Sequence, residues 1–122
     1  MSLSFEQIVV DCADAAALAE FWSGVLDTPV DGGANEFFAT VGRTGDAPLR
    51  PAFMFVKVPE ERAGKNRLHV DLVSAEWRAE IDRVIGLGAK HVAEFDEYGT
   101  KWVTLQDPEG NVFDIGAGRY EG

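Results

Sequence analysis

Alternation of polar and apolar residues opens the chain. Residues 5–12, Phe-Glu-Gln-Ile-Val-Val-Asp-Cys, alternate and are rich in β-branched residues, which predicts a strand with Ile8, Val10 and Cys12 on its apolar face and Gln7, Val9 and Asp11 on the other. The period then changes. Asp14 is placed to cap a helix running to about Leu26, because Leu18, Phe21, Trp22, Val25 and Leu26 recur at helical spacing and Asp27-Thr28-Pro29 stops them. Residues 31–35, Asp-Gly-Gly-Ala-Asn, have no period and read as a loop or hairpin turn. Strands are predicted over 36–41 and 51–58, with a surface loop at 42–48 between them.

Residues 59–66 are polar, contain Pro and Gly, and read as a linker. The order of elements then starts again. A strand over 68–73 is followed by a helix from Ser74 or Ala75 that carries Trp77, Ile81, Val84 and Ile85 and is ended by Gly86 and Gly88. A strand over 89–95 and a turn over 96–99 lead to a final hairpin, 102–116, bent at Asp107-Pro108-Glu109-Gly110-Asn111. Proline presets φ in that turn, and Gly110 supplies a positive φ. On the return strand Phe113 and Ile115 point one way and Val112 and Asp114 the other. The segment from Gln7 to Asp14 aligns without a gap on that from His69 to Glu76, which makes the chain an internal repeat. The expectation is an α+β fold of two βαβββ modules (4–58 and 67–117) in a single domain of 122 residues. Strand–helix–strand–strand–strand, twice over, would form a cupped, mostly antiparallel eight-strand sheet with its helices on the outer face.

Composition changes this picture little: 46% hydrophobic and 26% charged residues are ordinary for a globular chain. A net charge of -10 opposes binding to nucleic acid. No run approaches membrane-spanning length, no charged-then-apolar leader opens the sequence, and the lone Cys12 excludes an internal disulfide, so a cytoplasmic protein is expected.

With helices on the apolar faces, the opposite faces would line a concavity holding Gln7, Val9 and Asp11, then His69, Asp71 and Val73, then Trp102, Thr104, Gln106 and Asp114. One imidazole, one carboxamide oxygen and one carboxylate suit a first-row divalent ion with open positions. The same residues also suit the wet face of an antiparallel sheet that has no ligand at all. Periodicity alone leaves both open.

Several stretches are similar to the vicinal oxygen chelate superfamily, the glyoxalase, bleomycin-resistance and extradiol dioxygenase group. They are Val10-Asp11 to Asp14, Ala19-Glu20-Phe21-Trp22 to Leu26, Phe55 to Glu60, Lys65 to Leu72, and Asp107 to Asp114; the last two pieces of the middle resemble the small stand-alone glyoxalase-like proteins. The resemblance implies metal ligands at Gln7, His69 and Asp114 holding Zn, Ni, Mn or Fe. Asp114 stands where Glu is usual, and the carboxylate that true glyoxalases carry on the last strand of module one has no counterpart in 52–57. The implied function is a lyase, isomerase or dioxygenase acting on a small molecule with vicinal oxygens. Asp11 or Asp71 would act as base or supporting carboxylate, and Trp102, Thr104, Phe53 and Phe55 would line the pocket. A homodimer is implied as well. The alternative is a metal-free drug-binding protein of the bleomycin-resistance type, and a third reading is an accessory domain without a small ligand.

Overall fold

The computed structural model describes residues 3–97 and 99–118, which form two compact units divided between Ala63 and Gly64. In the first unit, strand β1 (Gln7–Cys12) leads into helix α1 (Ala15–Leu26), followed by β2 (Phe38–Val41) and β3 (Ala52–Lys57). Asp14 caps α1 as its spacing predicted, its Oδ1 accepting from the Ala17 N–H at 3.2 Å, and Asp27 closes the helix at φ 51°. The sheet order is β1-β3-β2, with β1 parallel to β3 and β2 antiparallel to it. Leu18, Phe21, Trp22 and Val25 of α1 are buried with Phe53 and Phe55 of β3.

The second unit repeats the plan. Strand β4 (Val70–Val73) precedes helix α2 (Trp77–Leu87), then come β5 (Lys90–Glu97), β6 (Thr100–Gln106) and β7 (Val112–Gly116). The order is β4-β7-β6-β5, and β4 runs parallel to β7 as β1 does to β3. Ile81 and Val84 of α2 are buried, as are Phe113, Ile115, Val103 and Leu105 on the sheet. Gly88 ends α2 at φ 123°, whereas Gly86 lies within the helix; the helix starts at Trp77 because the Ser74 hydroxyl takes the Glu76 N–H into a turn first. The predicted turn over 96–99 gives way to a β5 that reaches Glu97, and Tyr98 lies outside the described residues.

Among the described residues, seven strands in two sheets of three and four replace the expected eight-strand sheet. The missing strand belongs to the first unit, where Val30 makes only an isolated bridge to Val41. Pro29 has no N–H to add to a ladder, and Gly32-Gly33 ends any extended run. The Asp31 carboxylate meanwhile gathers the Thr40 hydroxyl (2.6 Å), the Thr44 hydroxyl (2.7 Å) and the Arg43 and Thr44 N–H groups (2.9 and 3.2 Å), so side-chain bonds fix the loop that the sequence predicted over 31–35.

The hairpin of β6 and β7 is held by its own turn. Asp107 is buried, and its Oδ1 accepts from the N–H groups of Glu109 (2.9 Å) and Asn111 (3.0 Å), while Gly110 adopts φ 89°. These bonds fix the β6–β7 register that sets Thr104 opposite Asp114.

Candidate metal centre

Register decides which side chains meet in the second unit. Asp71 of β4 is the direct partner of Asp114 on β7, and Asp114 is the partner of Thr104 on β6. All three therefore lie on the face opposite Phe113 and Ile115. His69 immediately precedes β4, one position short of the strand predicted to contain it, and its Nδ1 lies 3.2 Å from Asp71 Oδ1 and 3.6 Å from Asp114 Oδ2. The Thr104 hydroxyl donates to Asp114 Oδ1 at 2.6 Å, which leaves Oδ2 turned toward the imidazole.

Two carboxylates placed directly opposite on neighbouring strands repel each other. Burial pushes the Asp114 carboxyl above its ordinary range; the Thr104 hydrogen bond and His69 oppose that shift, and Asp71 adds to it. Asp114 has 16% of its side chain exposed, against 49% for His69 and 68% for Asp71, so the cluster has one sheltered group and two open ones. One donor atom from each residue falls within 4.8 Å of the other two. An imidazole and two carboxylates in that space fit a first-row divalent ion, with hard oxygen donors beside a borderline nitrogen.

The first unit holds the same positions without the chemistry. By the repeat, Gln7, Val9 and Met54 correspond to His69, Asp71 and Asp114, and Val9 pairs with Met54 as Asp71 does with Asp114. The Gln7 amide nitrogen lies 3.7 Å from the Met54 sulfur, and its Oε1 is buried with no partner among the described residues. Asp11 sits on the same face of β1 as Gln7, exposed to solvent. Phe53 and Phe55 do not line that face. Their partners on β1 are Ile8 and Val10, Phe53 packs on Trp22 at 5.3 Å, and both rings are buried under α1.

Trp102 and Thr104 do share the face of Asp114, as their two-residue spacing on β6 requires. Sequence reasoning missed Phe95, which stacks on Trp102 with ring centroids 5.2 Å apart and planes 19° apart. The signal for it lay in the pairing of β5 with β6, where an irregularity between His91 and Ala93 resets the register.

The fold is that of a glyoxalase-like domain. The chain matches the family described as glyoxalase-like domain over residues 7–116 and belongs to it. A glyoxalase/bleomycin resistance protein/dioxygenase family enzyme from Burkholderia phytofirmans PsJN is 19% identical, with a TM-score of 0.75 over 94% of this chain and 98% of that one. The fosfomycin resistance protein FosX from Listeria monocytogenes is 13% identical, with a TM-score of 0.74 over 99% and 98% of the two chains. FosX from Mesorhizobium loti is also 13% identical, with a TM-score of 0.72 over 98% and 96%. At these identities the likeness is one of fold. A comparison with curated proteins finds no match.

Proposed function

We propose that this chain is a metal-dependent member of its family that binds a small molecule through two neighbouring oxygens, in chemistry of the lyase, isomerase or dioxygenase type. The observation that carries the reading is the convergence of His69, Asp71 and Asp114 on one face of one sheet. A Zn, Ni, Mn or Fe(II) ion bound there would supply Lewis acidity to the substrate oxygens. His69 and Asp114 would hold the ion, and Thr104 fixes the orientation of the carboxylate by donating to Oδ1. Asp71, the most exposed of the three, completes the donor set or takes a proton from the bound molecule. Gln7, implied by the resemblance as a further ligand, belongs to the first unit; its contribution is read separately from the metal affinity of Gln7→Ala.

The test is metal content. Untagged protein offered each ion in turn should retain about one equivalent, and His69→Ala and Asp114→Ala should lose it while staying folded. Wild-type protein that stays empty with all four ions overturns the reading. A metal-free binding protein of the bleomycin-resistance type is the second reading, favoured by the Phe95–Trp102 stack beside the acidic pair. It would show as thermal stabilisation by an aromatic ligand in metal-free buffer.

A further inference from the structure

Asp71 and Asp114 are direct partners across the parallel ladder of β4 and β7, and each brings an oxygen to the same atom of His69: Nδ1 lies 3.2 Å from Asp71 Oδ1 and 3.6 Å from Asp114 Oδ2. The fold does not require this pair. In the first unit the same places hold Val9 and Met54, which face each other without charge. Two carboxylates held across a ladder repel, so gathering them at one point is costly unless a cation lies between them. The separations also have a meaning for an ion. Two donors each about 2.1 Å from one metal lie about 3.0 Å apart at a right angle and about 3.4 Å apart at the tetrahedral angle. The distances from Nδ1 to the two carboxylate oxygens are of that size.

We infer that Asp71 is a direct metal ligand rather than a base, and that His69 meets the ion through Nδ1, so that Nδ1 and one oxygen of each carboxylate form a single three-donor face on β4 and β7. This inference rests on the metal-dependent reading above. The rival arrangement keeps a proton on Nδ1, with Asp71 as its acceptor and Nε2 turned to the ion. The two nitrogens of an imidazole point in diverging directions, so an ion on Nε2 would leave behind both carboxylates gathered at Nδ1. With Nδ1 on the ion, Nε2 keeps its proton. Asp71 is thus a binding residue, and its carboxylate is not available to accept a proton from the bound molecule.

The test reads the tautomer of His69. The chain has two histidines, so untagged full-length His91→Gln protein, isotopically labelled at nitrogen, leaves His69 as the only imidazole. His91 pairs with Leu105, on the face of the sheet opposite Asp114, and so lies outside the site. NMR of the Zn-loaded protein should show the proton on Nε2 and the metal on Nδ1. A proton on Nδ1 overturns the inference, whatever the affinity. Asp71→Ala supplies the second measurement, and because Asp71 is 68% exposed its truncation leaves the fold in place. Zn binding to that variant, read by calorimetry, should weaken about tenfold or more, and a smaller loss overturns the inference, since even an outer carboxylate is worth that much. Wild-type protein that holds no Zn at all instead overturns the metal reading on which the inference rests.

Discussion

At the scale of single residues, the two repeats carry different side chains at the three positions of the candidate site. Gln7, Val9 and Met54 occupy in the first unit the places of His69, Asp71 and Asp114 in the second. A buried carboxylate without a counter-ion is poorly solvated, and here a second carboxylate lies directly across the ladder. Asp114→Asn keeps an acceptor for Thr104 and removes the charge. It should abolish metal retention and leave the metal-free protein as stable as wild type or up to about 1 kcal/mol more stable. Urea midpoints in chelator measure this, and a clear loss of stability would mean that Asp114 is a structural anchor. Asp31 gives the opposite case. Its burial alone would raise the pKa, but the Thr40 and Thr44 hydroxyls and two backbone N–H groups outweigh burial and lower it below 3.8. A lowered folded pKa contributes stability that is present above the unfolded value and is lost as pH falls through the folded one. The stability gap between wild type and Asp31→Asn should therefore be largest near neutral pH and close below about pH 4. A gap that is constant between pH 7 and 2.5 would count against the carboxylate as the cause.

At the scale of elements, Gly110 at φ 89° fixes the turn that sets Thr104 opposite Asp114. Gly110→Ala should cost on the order of 1 kcal/mol or more and weaken metal retention with it, because both depend on one register. An unchanged melting temperature would show that the turn tolerates a side chain there. Much of this element plan was legible from the sequence. The β1 and β7 alternations, the α1 stripe with its Asp14 cap and the Asp107 turn each have a local cause, and each appears in the structure. The face of β3 was not legible. Ala-Phe-Met-Phe-Val-Lys is apolar on both sides because β3 is the central strand of its sheet, so period two could not assign Phe53 and Phe55 to helix or open face. Only the pairing of Phe53 with Ile8 and of Phe55 with Val10 does so. The site divides in the same way. His69, Asp71 and Asp114 could be placed on one face by parity, but the direct opposition of Asp71 and Asp114 arises from a parallel ladder between β4 and β7, with forty-odd residues of chain between them. In the first unit the residues themselves marked only three strands, and the loop read over 31–35 is held by the Asp31 carboxylate, which accepts from the Arg43 and Thr44 N–H groups.

At the scale of the whole molecule, the open question is what meets the free strand edges. In their sheets β1 and β2 end one ladder, and β4 and β5 end the other, each with a single strand partner among the described residues. Unpaired edges with exposed apolar side chains favour association, and Val9 and Phe38 on the first sheet and Val73 and Val92 on the second are each more than 40% exposed. The chain carries a charge of -10, which keeps non-specific association down and leaves a closed, symmetric arrangement as the favoured outcome. The expectation is a homodimer in solution. It should persist from roughly 100 μM to 1 μM if the interface is of the standard size, since such an interface supports dissociation constants well below micromolar. Light scattering across that range reads the mass directly, and it should stay near twice 13.3 kDa. Added salt supplies the second readout. An interface formed by apolar strand edges should hold or tighten as salt screens the acidic repulsion between two copies, whereas one formed by ion pairs should loosen. A monomer mass at 100 μM and high salt would mean that these edges are covered within the chain itself.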